Sequence, residues 1–349
     1  MKHILLVTID TLRADYVGCY GKRDIRTPTL DAVAAEGVRF DHHLTSITCT
    51  LASHCCLMTG CTPCVNGVTW NWITTPARRK TLAQMGADRG YATSAVTSWY
   101  AFADQRVFGF ERAYSQGKFK GDDTRGDATV DRVMSWLAQT DLAQPQMWWV
   151  HFIDPHEPDN CPDPYPKTYV GEVEFVDDQL GRLLRHWDDE VGLDETLLVI
   201  TADHGEHIND HGVERGHGSQ FLTNLQVPLL MRAPGLINAG TVVNELTRQI
   251  DVLPTILEFC QMPMPHNVEG MSLRGLIEGT ESGLRLVHHG HCVNDREAPF
   301  PPYLASIRNG EYAFLFGQEK SLTHIFDLRG DAGEEVNLWQ YPSRPSACR

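Results

Sequence analysis

The segment Thr201-Ala-Asp-His-Gly-Glu-His-Ile-Asn-Asp-His-Gly-Val-Glu-Arg-Gly-His217 carries the densest group of metal-binding side chains in the sequence. Asp203, His204, His207, His211 and His217 all fall inside it. Aspartate and histidine are ligands for Zn²⁺, Mn²⁺ and related divalent ions. An Asp-His pair at a strand end, followed by a glycine-containing loop, can put two ligands on one ion. The histidines from His204 to His217 share one polar loop, which argues against a core role for all of them; His207 and His211 read as plain loop residues. A second segment, Thr48 to Gly60, predicts a helix over Ser53–Thr59 with Gly60 as its stop. Thr50 then stands just before a helix N-terminus, where free N–H groups and the helix dipole favour a phosphate or another tetrahedral anion. A threonine hydroxyl held beside a metal becomes acidic enough to act as a nucleophile. From the residues alone, Thr50 reads equally well as a helix N-cap.

These side chains need elements to hold them. His3–Ile9, Met147–Ile153 and Thr196–Thr201 are apolar runs, as expected of strands buried on both faces. Each runs into an aspartate: Asp10, Asp154 and Asp203. Tyr91–Thr97 is a further strand. Between the strands, Thr27–Gly37, Thr81–Gly90, Ala128–Leu137 and Val170–Trp187 read as helices, and Asp251–Phe259 as a shorter one. Alternation of this kind predicts an α/β fold with a mostly parallel sheet sandwiched by helices. Such sheets bind ligands at the carboxyl ends of their strands, so the three aspartates could converge on one site. The alternative is that each caps the helix or turn that follows. Short runs at Tyr303–Ile307, Tyr312–Phe316 and Thr323–Phe326 predict a small antiparallel C-terminal subdomain. The expected division is a catalytic domain over 1–285 and the subdomain over 286–349.

The 349 residues suit one large domain with such an appendage. The formal net charge of −15 argues against a nucleic-acid partner and requires a local positive site, such as a metal, for any anionic substrate. No apolar run approaches the roughly 18 residues that span a bilayer. The N-terminal stretch reads as a first strand and not as a signal peptide. A cytoplasmic protein with no membrane partner is therefore expected. Of the ten cysteines, five lie between Cys49 and Cys64. Cys61 and Cys64 form a C-x-x-C without a second pair at zinc-ribbon spacing, so unligated thiols are expected. Asp177 and Asp178 read as solvated or packing residues of a helix, and His288, His289 and His291 as a solvated strand or loop. Trp70, Trp72, Trp99 and Tyr100 are open between a substrate pocket and the core.

Several blocks in order resemble the sulfatase-like hydrolases of the alkaline phosphatase superfamily. They are Ile9-Asp-Thr-Leu-Arg-Ala-Asp through Gly21, Thr27-Pro-Thr-Leu-Asp through Phe40, and Thr50-Leu-Ala-Ser-His54 closed by Leu57-Met-Thr-Gly60. Asp203-His-Gly-Glu206 through Gly216-His217, Val227 to Gly235, Asp251 to Thr255, and Phe326 through Leu338 complete the set. The resemblance covers nearly the whole chain and points to the threonine-nucleophile subgroup.

It implies an alkaline phosphatase-like fold. It also implies Asp10, Asp203 and His204 as ligands of a primary metal, with Thr50 as the fourth, nucleophilic ligand. His54 stands where many members carry an arginine that contacts nucleophile and anion. His217 corresponds to a histidine that binds the substrate anion or a second metal, for which Asp154 is a further candidate. Asp154-Pro-His156 is similar to a segment whose histidine faces the leaving group. Arg215 falls near a substrate-binding lysine position, with the loop one residue shorter here. The implied catalytic set is Thr50, His54, His156 and His217. The implied cofactor is one or two divalent ions, Zn or Mn first, with Ca or Mg open.

Three departures bear on the chemistry. Members that cleave sulfate esters oxidise a Cys or Ser at the Thr50 position to formylglycine, and Thr cannot form that aldehyde. Thr11 stands where a second aspartate is usual, and Ala52 where proline is common. Cys49 is one residue out of register, which on a helix turns a side chain by about 100°. The expected activity is hydrolysis of a small anionic phosphoester (mono- or diester) or phosphonate through Thr50. A sulfuric ester hydrolase and a phosphotransferase are the alternatives, and a homo-oligomer is compatible with the sequence.

Overall fold

The computed structural model describes residues 1–73, 79–104, 106–115, 123–282, 288–291, 303–317 and 322–340. The strands in chain order are β1 (His3–Ile9), β2 (Val38–Leu44), β3 (Ala92–Thr97), β4 (Arg112–Ser115), β5 (Gln146–Phe152), β6 (Thr196–Ala202), β7 (His207–Asp210) and β8 (Val213–Gly216). They continue with β9 (Leu229–Arg232), β10 (Thr241–Arg248), β11 (His288–His291), β12 (Tyr303–Arg308), β13 (Tyr312–Gly317) and β14 (Leu322–Asp327). An eight-stranded sheet runs β10-β2-β9-β6-β1-β5-β3-β4. Only β9 is antiparallel to its neighbours, β2 and β6.

The apolar runs are continuous because the central strands are covered on both faces. Ile4 and Leu6 of β1 and Met147 and Trp149 of β5 enter one core cluster. Leu5, Val7, Ile9, Trp148, Val150 and Phe152 enter the other. Each such side chain contributes roughly 1.5–3 kcal/mol by leaving water. On the first face lie the helices Thr50–Thr59, Leu82–Ala87 and Val252–Phe259; on the second lie Pro28–Glu36, Gly126–Leu137 and Tyr169–Glu190. Cys55 and Cys56 are fully buried within the first core and act there as small apolar residues. Asp177 is buried and accepts the Thr29 and Leu30 N–H groups at 2.9 Å each, so it caps the Pro28–Glu36 helix.

The strands β2, β4 and β10 carry too few apolar residues to be legible alone, and β9 (Leu-Leu-Met-Arg) is too short. Val38–Leu44 alternates buried and half-exposed positions over its first four residues, then exposes His42 and buries His43 and Leu44, and it is held by its neighbours. The C-terminal strands form an antiparallel sheet in the order β11-β12-β13-β14. Buried Arg308 ties it to the main domain through the Gln220 carbonyl and pairs with Glu334 of the same subdomain. Leu222 N also donates to Glu334 at 2.7 Å. Among the described residues no helix is long and apolar enough to cross a membrane.

Candidate active site

Sheet register brings the ligands together. β1 lies between β5 and β6, and Ile9 pairs with Ala202. The residues that follow, Asp10 and Asp203, therefore leave the sheet side by side. Asp10, Asp203 and His204 offer ligand atoms that all lie within 4.8 Å of one another, and all three residues are buried. Asp203 Oδ1 accepts the N–H groups of Thr11 (3.1 Å) and His204 (2.8 Å). Its Oδ2 has no hydrogen-bond partner among the described residues and faces His204 Nε2 at 3.4 Å. His204 Nδ1 donates to the Gly205 carbonyl at 3.0 Å, so Nε2 carries the lone pair. That lone pair lies 3.3 Å from Thr50 Oγ1.

The Thr50–Thr59 helix begins at the nucleophile candidate itself. Cys49 takes the cap position, which overturns the reading of Thr50 as N-cap, and makes no side-chain capping bond. The cap comes from far away: Asn71 Oδ1 accepts Leu51 N at 2.9 Å and Cys49 Sγ at 3.0 Å. Ser53 Oγ donates to the Asp203 carbonyl at 2.7 Å and ties the helix to the end of β6. Thr11 adopts φ +56°, and Tyr169 braces its turn by donating to the Thr11 carbonyl at 2.8 Å and accepting Arg13 N at 3.0 Å. Gly205 is required by close approach, because a Cβ there would lie 2.1 Å from the Thr223 carbonyl oxygen.

The histidine-rich loop is a hairpin of β7 and β8, turned at His211 (φ +51°) and Gly212 (φ +77°). It returns His217 onto His204, with the rings stacked 4.6 Å apart, and His156 meets His217 edge-on at 5.1 Å. Glu206 is fully buried beside them, its Oε1 3.4 Å from His217 Nδ1 and its Oε2 3.7 Å from Arg215 Nε. Burial alone would raise the Glu206 pKa, but the hydrogen bond and charge of His217, with His156 and Arg215, hold it down to about 2. Burial likewise opposes protonation of His217, yet Glu206 outweighs it and raises that pKa. His156 goes the other way: burial and then His217 push it down to about 3. Its Nδ1 donates to the Glu157 carbonyl at 2.7 Å. The two imidazoles are thus pushed in opposite directions, His217 toward the protonated form and His156 toward the neutral one.

Other expectations meet different surroundings. His54 Nδ1 donates to the Thr50 carbonyl at 2.7 Å, and its Nε2 accepts from the Thr8 hydroxyl at 3.0 Å. Thr8 in turn accepts Trp149 Nε1–H at 2.9 Å. With both nitrogens committed to the protein, His54 does not fit the arginine-like anion contact that the resemblance implies; it orients the first turn of the helix. Asp154 Oδ1 accepts Gly126 N at 2.8 Å, so it caps the Gly126–Leu137 helix. Asp154 and His217, read as candidates for a second ion, join no group of three ligands among the described residues. Arg215 Nη2 donates to the Pro155 carbonyl (2.8 Å) and Asp159 (3.0 Å), bracing the hairpin against the His156 loop. His207 bonds Ser219 at 2.8 Å, and His211 stacks on Phe221 at 3.9 Å, both as loop residues.

Three further residues border the site: His151, Glu206 and Asn71. His151 is fully buried on β5, its Nε2 3.6 Å from Asp10 Oδ2. Its signal was a polar residue inside an apolar strand run. Glu206 lay in plain view within the Asp-His-Gly-Glu block. Asn71 had no local signal, because its target lies 20 residues away.

Two carboxylates, one imidazole lone pair and a hydroxyl are a donor set that suits a divalent ion such as Zn²⁺ or Mn²⁺. Buried Asp10 and Asp203 need a nearby positive charge, which such an ion provides.

A family model described as Sulfatase matches residues 2–262. A second, described as N-sulphoglucosamine sulphohydrolase, C-terminal, matches residues 220–346. An arylsulfatase of Clostridium perfringens is 22% identical, with 96% of this chain and 90% of that protein covered. The multifunctional alkaline phosphatase superfamily protein PehA of Trinickia caryophylli is 28% identical over 52% of this chain and 38% of its own length. The crystal structure of a phosphonate monoester hydrolase of Agrobacterium radiobacter shares the fold, with a TM-score of 0.83 and 20% identity over 97% of this chain and 92% of that one.

Proposed function

Because the chain belongs to the sulfatase family of the alkaline phosphatase superfamily, we propose that it is a metal-dependent hydrolase of phosphoric and phosphonic esters that uses Thr50 as its nucleophile. The observation that carries this reading is the 3.3 Å approach of Thr50 Oγ1 to His204 Nε2, beside Asp10 and Asp203. Asp10, Asp203, His204 and Thr50 would hold the ion. A divalent cation in that position supplies the charge that makes the threonine hydroxyl acidic and polarises the ester oxygens.

Thr50, its hydroxyl proton already lost to solvent, attacks the phosphorus in line as the alkoxide; a new O–P bond forms, and the bond to the leaving oxygen breaks. His217, stacked beside the ligands and held by Glu206, gives its proton to that oxygen. It then takes a proton from the water that attacks phosphorus and releases Thr50. Neutral His156 keeps its ring against His217.

The side chain at position 50 also speaks to the choice of ester. Cys49 Sγ is turned to Asn71 and Ser53 Oγ to the Asp203 carbonyl. Neither residue replaces Thr50 as the source of an aldehyde. Sulfuric ester hydrolysis is the second reading, favoured by the family model and by the arylsulfatase similarity.

One panel of aryl phosphate monoesters, diesters, phosphonate monoesters and sulfates separates the two. The expected result is turnover of phosphorus esters, loss of turnover in Thr50→Ala, retention of it in Thr50→Ser, and a phosphorylated Thr50 after acid quench. Full activity of Thr50→Ala refutes the mechanism. Preferred sulfate turnover, or an aldehyde in the peptide spanning Cys49 to Cys56, selects the second reading.

A further inference from the structure

The four aromatic residues left open by the sequence are sorted by the fold. Trp99 is 6% exposed, and Trp70 packs partly on the core. Trp72 is 56% exposed and Tyr100 38%. The three rings of Trp72, Trp99 and Tyr100 touch one another, with centroids 6.0–6.3 Å apart.

This wall adjoins the ligand cluster by two routes. Behind it, Trp99 meets Phe102 edge-on at 5.2 Å, and Phe102 meets His54 at 5.0 Å and His151 at 5.1 Å. Those histidines bond the Thr50 carbonyl and face Asp10. Beneath it, Asn71, the residue before Trp72, is the remote cap of the Thr50–Thr59 helix. Large rings held in water contribute little to folding, and grouped exposed apolar surface marks binding sites.

We propose that Trp72 and Tyr100, backed by Trp99, bind the leaving group of the ester, and that this group is aryl. The proposal rests on the ester-hydrolase reading and names its substrate class. The rings stand 38° to 68° from one another, so they form an angled wall that meets one face of a flat ring, not a parallel slot. No member of the trio carries a charge, which favours a neutral group. A sugar would call for several hydrogen-bonding side chains around its hydroxyls. The neighbouring acceptor, Asn71 Oδ1, is already occupied by Leu51 N and Cys49 Sγ.

The test is calorimetric titration of the metal-loaded protein with phenylphosphonate, methylphosphonate and glucose 6-phosphate, for the wild type and for Trp72→Ala/Tyr100→Ala. The wild type should bind phenylphosphonate about tenfold more tightly than methylphosphonate, the size of one good aromatic pair. The double variant should bind the two alike and still melt cooperatively, as a folded protein. In turnover, the double variant should lose kcat/KM for a phenyl ester about tenfold and keep that for a methyl ester.

Equal binding of the two phosphonates by the wild type, or a phenyl preference that survives the double substitution, overturns the proposal. A loss confined to glucose 6-phosphate overturns the aryl assignment. If the wild type cleaves no ester yet keeps a phenyl preference that the variant loses, the hydrolase reading falls and the aromatic site stands.

Discussion

Asn71 offers the sharpest separation of structure from chemistry. Its Oδ1 caps the helix that starts at Thr50, by accepting Leu51 N at 2.9 Å. Asn71→Ala removes the cap. Losing a helix N-cap costs about 1 kcal/mol, and leaving the N–H without a partner raises that to about 2 kcal/mol. Asn71→Asp keeps an acceptor there and adds a negative charge at a helix N-terminus, where such charge is worth about 0.3–1 kcal/mol of stability. The same charge would repel an anionic substrate seated at this helix end. Two unit charges roughly 8 Å apart, at an effective dielectric constant near 20, repel by about 2 kcal/mol, a factor of about 30. Urea denaturation should thus show Asn71→Ala destabilised and Asn71→Asp equal to the wild type or above it. Steady-state kinetics should show Asn71→Asp with KM raised about 30-fold, an effect that shrinks as salt is added. An Asn71→Asp enzyme with unaltered KM would refute an anion site at this end of the helix. An Asn71→Ala protein of wild-type stability would refute the cap.

Glu206→Gln removes the charge that raises the His217 pKa, and should lower kcat by about 100-fold with a much smaller change in KM, read from initial rates. Adding Mn²⁺ or Zn²⁺ to chelator-treated protein should raise the thermal midpoint, by the equivalent of about 2.7 kcal/mol at 100 times Kd, and Asp203→Asn should abolish the response in calorimetry. His43 is fully buried on β2, 3.0 Å from Thr247 Oγ1, and burial pushes its pKa down to about 3. The unfolded chain takes a proton near pH 6.5 while the folded His43 stays neutral, so its stability contribution is intact above that pH and is lost as pH falls toward 3. By pH 5.5 the loss is about 1.4 kcal/mol, and denaturation curves of His43→Gln should lack that component.

Part of this molecule is written in local order. The runs of β1, β5 and β6 are apolar over their middle positions, which enter both cores, so their existence and their parallel packing were legible. The Asp10 and Asp203-His204 ends of β1 and β6 were legible too, because the residue after a buried strand is the first free to be polar. The helices Pro28–Glu36, Gly126–Leu137 and Tyr169–Glu190 announced themselves by period, and the first also by its stop at Gly37. Strands β2, β4 and β10 did not, since half-polar segments become strands only when neighbours supply their hydrogen bonds, and β9 did not because four residues are too few to show a period.

The site divides along the same line. Asp10 and Asp203 become neighbours, while Asp154 turns to Gly126, through the order and register of the strands, which are long-range properties. Only the hairpin of β7 and β8 decided that His217 stacks on His204, and only a contact across 20 residues made Asn71 the cap of Thr50's helix. Local sequence fixes which residues can be helix, strand or ligand. Which of them meet depends on how the sheet orders its strands, and no segment carries that information alone.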